Sequence, residues 1–75
     1  MKITIETGQW ASRYVDSQTM SIDMPEQSTV QDALDILKIP EKEIGITAID
    51  NKMVPKEHPL SDGDIIKVYT AIIGG

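Results

Sequence analysis

The residues of this chain best placed to take part in covalent chemistry are Gly74 and Gly75, the last two of 75. Two adjacent residues without a Cβ can thread a passage too narrow for side chains. They also leave the carbonyl of the second open to attack from either side. With Gly75 carrying the free carboxylate, the pair has the form of a handle on which another protein acts. The plain alternative is a frayed end, since chain termini are commonly unanchored. Other candidates offer less. Cys is absent, which removes a disulfide framework, a thiolate metal site and a Cys nucleophile together. His58 is the one histidine and sits beside Pro59, a poor start for a metal site. Asp62 and Asp64 flank Gly63 in a Ser-Asp-Gly-Asp run that reads as a turn with solvated carboxylates. Gly63 lacks the companion glycines and the lysine of a phosphate loop.

A handle needs a folded body behind it. Ile3 and Ile5 alternate with polar neighbours in Lys2–Glu6, and Met20, Ile22 and Met24 do the same after an aperiodic segment from Thr7 to Ser17. These read as two antiparallel strands joined by a long hairpin loop. Val30, Ala33, Leu34 and Leu37 fall at i, i+3, i+4 and i+7, the single apolar stripe of an amphipathic helix. Two capping boxes compete to start it: Ser28 with Gln31, or Thr29 with Asp32. Pro40 ends it, because the residue before a proline avoids the α region. Gly45–Ile49 reads as a strand with Ile46 and Ala48 inward and Thr47 and Ile49 outward. Asp50-Asn51 follows as a tight turn, since both residue types tolerate positive φ. Met53-Val54 is a short strand stopped by Pro55. The last strand, Ile65 to Ala71, is expected to send Ile66 and Val68 inward and Ile65, Lys67 and Tyr69 outward.

One helix across one mixed sheet of four to five strands is an α+β, β-grasp (ubiquitin-like) arrangement. A right-handed crossover through the helix is expected to lay the third strand parallel within the hairpin's sheet. The expected core is Ile3, Ile5, Met20, Ile22, Val30, Leu34, Leu37, Ile46, Ala48, Leu60, Ile66 and Val68. Residues 1–75 are read as one domain with a flexible tail from about residue 72. Twelve acidic against seven basic side chains give a net charge of −5, which disfavours nucleic acid. Apolar stretches are too short to span a bilayer, and Lys2 is followed by no signal-peptide core. A cytoplasmic location is the expectation. So short a chain has little room for a deep catalytic pocket beside its core, which favours a carrier or binding role over an enzyme.

Read in order, the C-terminal half resembles the ubiquitin-like sulfur carriers. The matching residues run from Ile46 through Asp50-Asn51, then Leu60-Ser61-Asp62-Gly63-Asp64, to Ile72-Ile73-Gly74-Gly75. That family includes the small subunit of molybdopterin synthase and the sulfur carrier of thiamine biosynthesis (MoaD/ThiS type). Ser28-Thr29-Val30 opening the helix matches as well. The loop around Trp10 matches least. Asp50 stands where the family often has Asn, and Asn51 where Gly is frequent. Thr70-Ala71-Ile72-Ile73 precedes the tail where molybdopterin-type carriers often have prolines.

The resemblance implies that a ubiquitin-activating-like adenylyltransferase, using ATP and Mg²⁺, adenylates the Gly75 carboxylate. Gly74 would help thread the tail. A persulfide sulfur donor would then convert the terminus to a thiocarboxylate, and a sulfur-accepting synthase would take the sulfur. The chain itself would bind no cofactor and no metal. It would be a protein cosubstrate, or the small subunit of a synthase complex. The lack of Cys fits a carrier whose sulfur rides on the terminus. A ubiquitin-like modifier conjugated through Gly75 to lysine uses the same handle, and a noncatalytic β-grasp interaction module is a third reading. Partner contacts are expected at Ile49, Ile65, Tyr69, Ile72 and Ile73, an outward apolar set beside the tail. Trp10 and Tyr14 read equally as a partner-binding loop or as a cap on the sheet.

Overall fold

A computed structural model describes Met1–Ala71, so the expectations for Ile72, Ile73, Gly74 and Gly75 lie outside the described residues. Strands β1 (Lys2–Glu6), β2 (Thr19–Asp23), β3 (Ile44–Ile49), β4 (Lys52–Val54) and β5 (Ile65–Thr70) form one sheet, and helix α1 (Val30–Leu37) lies between β2 and β3 in the chain. The sheet order is β2-β1-β5-β3-β4. The β1–β5 pair is parallel and the others are antiparallel. The third strand therefore runs parallel to β2 without touching it, because β1 and β5 lie between them. This is the expected β-grasp: one helix on a mixed five-stranded sheet.

The helix start is decided in favour of Thr29. Its hydroxyl accepts from the Asp32 N–H at 3.3 Å while the Asp32 carboxylate accepts from the Thr29 N–H at 2.9 Å. Ser28 is buried and donates instead to the Pro25 carbonyl at 2.7 Å. The next two amides need partners too. The β4–β5 loop supplies them: Val30 N–H donates to the His58 carbonyl and Gln31 N–H to the Lys56 carbonyl. His58 thus serves the fold through its backbone. Lys38 closes the helix in the left-handed region, at φ 59°. Thr29→Ala should cost about 1 kcal/mol of stability by urea denaturation. Gln31→Ala should stay within about 0.5 kcal/mol; the reverse order would restore the Ser28–Gln31 box.

The turns follow their residues. Asp50 and Asn51 both have positive φ, 53° and 64°, as a two-residue hairpin turn requires. In the Ser61–Asp64 turn the Asp64 carboxylate accepts from the Ser61 N–H, and the Asp62 carboxylate accepts from the Lys2 N–H. Gly63 N–H donates to the Lys2 carbonyl, and Thr4 N–H to the Asp64 carbonyl. The Asp62 carboxylate thus ties the β5 entrance to β1, while the Asp64 carboxylate closes the turn itself. No three of His, Cys, Asp and Glu gather as a metal-ligand set among the described residues. No helix among them is long and apolar enough to cross a membrane.

The core is as expected for Ile3, Ile5, Val30, Leu34, Leu37, Leu60, Ile66 and Val68, all buried. Met20 and Ile22 pack against it half-buried. Ala11, Met24, Ile39 and Ile44 join it without having been expected.

Strand β3 requires a correction. Ile46, expected inside, is 44% exposed, and Ile49, expected outside, is 7% exposed and belongs to the core. The cause is the pairing with β5. Ile49 lies opposite Ile66 and Thr47 opposite Val68, and both partners face the helix. Directly paired residues share a face. The register shifts between Ile44 and Thr47, where β3 spends one more residue than β5 does between Val68 and Thr70. That bulge lets Ile44 and Thr47 both be buried although simple alternation forbids it. Ala48 is buried as expected but outside the core cluster, opposite Lys67 and Met53.

Candidate partner-docking site beside the end of the last strand

Each strand of the sheet turns one set of residues away from the helix. On the β1–β2 side that set is polar: Lys2, Thr4, Glu6, Thr19, Ser21 and Asp23. On the β5–β3–β4 side it is largely apolar. Ile65 is 46% exposed, Tyr69 50% and Met53 73%, and Ile46 is exposed at the bulge. Ala48 and Lys67 lie among them by register. The expected outward positions of Ile65 and Tyr69 hold, and that of Ile49 does not. Met53 and Ile46 take its place. Met53 belonged to a three-residue strand too short to show a phase, and the bulge disguised Ile46.

Two shallow hollows border this half of the sheet. One, about 400 Å³, is lined by Ile46, Met53, Val54 and Pro55 among others. The other, about 350 Å³, lies between Trp10 and Tyr69, with Glu6, Thr7 and Lys67 on its walls. The loop that lacked period in the sequence therefore does two things. It sends Ala11 fully into the core, with Trp10, Tyr14 and Val15 packed against it. It also puts Trp10 on the wall of the hollow that Tyr69 lines. Tyr14 donates its hydroxyl to the Glu43 carboxylate. That hydrogen bond, helped by desolvation, raises the Tyr14 pKa above its ordinary value. A raised tyrosine pKa means that the bond is present at neutral pH and is lost as pH climbs through the raised value, in strongly alkaline solution.

Tyr69 and Thr70 close β5, so the apolar half-face ends where the backbone continues into residues 72–75. A partner that takes up those residues has an apolar surface with an aromatic anchor next to them.

The sequence model of the ThiS family matches residues 11–75. The chain belongs to the ThiS family. This ThiS-family chain shares its fold with solved structures of low sequence identity. SAMP1 from Haloferax volcanii superposes with a TM-score of 0.80 at 16% identity, covering 100% of both chains. A Pyrococcus furiosus protein assigned provisionally as molybdopterin converting factor, subunit 1, gives 0.79 at 16% identity over 95% of this chain and 98% of its own. No curated protein matches. The ThiS match takes in the Trp10–Tyr14 loop only from Ala11 onward, and runs through Gly74 and Gly75.

Proposed function

We propose that this ThiS-family chain is a sulfur carrier charged at Gly75. The observation that carries the reading is the family match continuing through Gly74-Gly75, beside a domain whose apolar half-face ends at the same place. Gly75 must carry the free carboxylate. One of its oxygens attacks the α-phosphorus of ATP on an activating partner. The bond to pyrophosphate breaks, and pyrophosphate leaves with the electron pair. The terminal sulfur of a persulfide on a donor protein then attacks the carbonyl carbon and displaces AMP. A second thiol cleaves the resulting sulfur–sulfur bond, becoming part of a disulfide. The carrier is left ending in –C(=O)–S⁻, ionised at neutral pH and therefore nucleophilic. A synthase accepting this sulfur completes the cycle, in thiamine-type or molybdopterin-type cofactor synthesis. The chain contributes a terminus and a docking face. ATP and Mg²⁺ belong to the partner's site.

The modifier reading has the structural likeness to a protein titled small archaeal modifier protein 1 on its side, at 15% identity and a TM-score of 0.78. In that case a lysine amine takes the place of the persulfide. Intact-mass measurement on the protein taken from its native cell separates the two. A mass gain equal to one sulfur replacing one oxygen, raised further by the added alkyl group on alkylation and absent from carboxy-terminally truncated protein, is the expected result. Ladders of heavier adducts on other proteins, without that gain, would establish the modifier instead.

A further inference from the structure

Ala71 N–H donates to the Glu43 carbonyl at 2.9 Å, which holds the last described residue against the 3₁₀ turn Glu41–Glu43. Glu43 is itself held from two directions. Its N–H donates to the Pro40 carbonyl at 2.9 Å, and its carboxylate receives the Tyr14 hydroxyl. Gly45 then lets the chain in. A Cβ on Gly45 would lie 2.7 Å from the Thr70 carbonyl oxygen and 2.9 Å from the Ala71 Cα. Both are backbone atoms, which cannot rotate aside as the end of a side chain would. Gly45 is not among the positive-φ residues, so conformation does not require a glycine there. Space does. The bulge in β3 falls across this residue, between Ile44 and Thr47.

We infer that Gly45, Glu43 and Tyr14 form a bracket that sets where and in which direction the backbone leaves β5, and so presents Gly75 to the activating partner. They are positioning residues, and the inference rests on the carrier function proposed above. The reach explains why the exit matters. Four residues, 72–75, carry the backbone from the bracket to Gly75, a span of at most about 14 Å when fully extended. So short an arm has little slack with which to correct a misdirected root while the domain stays docked. Misplacement of a reacting group by about 1 Å can cost about a hundredfold in rate.

The test is Gly45→Ala, with two readouts. Hydrogen exchange at the Ala71 amide reads the bracket itself. ATP–pyrophosphate exchange with the cognate activating enzyme reads presentation, with KM and kcat separated. In the unaltered chain the Ala71 amide should be protected. In Gly45→Ala its exchange should speed up about tenfold or more while the amides of Ile66 and Val68 stay protected. The rate constant kcat should fall about tenfold or more with KM within about twofold, because Tyr69, Met53 and Ile65, the side chains proposed to bind the partner, are all retained. Tyr14→Phe should shift both readouts the same way by less, and Glu43→Gln, which keeps a carbonyl acceptor for Tyr14, should behave as the unaltered chain. If Gly45→Ala does not fold, Tyr14→Phe against Glu43→Gln carries the same two readouts. An unprotected Ala71 amide in the unaltered chain overturns the bracket. Undiminished kcat with Ala71 deprotected, or a rise in KM alone, overturns its positioning role. Should the unaltered chain form no adenylate while Ala71 is protected, the carrier function fails, and the positioning role falls with it. Unprotected Ala71 with normal adenylation sinks the bracket alone.

Discussion

Ile49→Ala is expected to cost about 2–5 kcal/mol, the usual range for truncating a buried branched side chain. Ile49 is 7% exposed and lies opposite Ile66, which is wholly buried, so a cavity would open between sheet and helix. For a domain of 75 residues that is a large share of the total stability. The same substitution at Ile46, 44% exposed, should stay within about 0.5 kcal/mol, as surface changes usually do. Paired urea denaturation of the two variants measures the phase of β3 directly. A loss under about 1 kcal/mol at Ile49, with the larger loss at Ile46, would restore simple alternation and remove the bulge.

Tyr69→Ala is expected to weaken binding of the activating enzyme at least about tenfold, or about 1.4 kcal/mol, while the fold stays intact. The ring is 50% exposed at the end of β5, on the face turned away from the helix, and borders the hollow shared with Trp10. Aromatic anchors near the centre of an interface carry a disproportionate part of its energy. Met53→Ala should weaken binding in the same direction, since Met53 is the most exposed large apolar side chain of the patch. Titration calorimetry against the cognate enzyme supplies the affinities, and circular dichroism supplies the fold control. Undiminished affinity in both variants would remove this half-face from the interface. The two proteins would then have to meet elsewhere on the domain.

The proposed docking face and the inferred bracket have separate tasks. In the carrier reading, Tyr69, Met53 and their neighbours would govern whether a partner binds. The bracket would govern where Gly75 stands once it has. Variants in the first group should therefore act on KM and those in the second on kcat, a split that a general loss of stability does not produce.

The sequence by itself determined the elements whose signals are local. Val30, Ala33, Leu34 and Leu37 mark one helix face because the period is 3.6. Asp50-Asn51 and Ser61–Asp64 mark turns because those residues tolerate or stabilise the required backbone. Ile66 and Val68 against Ile65, Lys67 and Tyr69 mark the two faces of β5 because the strand is regular. From these the order of elements and the β-grasp followed. Tertiary structure alone decided what depends on a partner strand. The phase of β3 is set by pairing with β5 across a bulge, so Ile46 and Ile49 exchange places although nothing in Gly45–Ile49 announces it. Ala11 enters the core from a segment without period, because a loop is buried by what it covers rather than by its own repeat. Two capping boxes were open in the sequence, and the backbone at Thr29 admitted one. Gly45 is the clearest case. In the sequence it is a glycine at the head of a strand, and only the approach of the Thr70–Ala71 backbone, from a segment 25 residues further along, shows that a side chain there has no room.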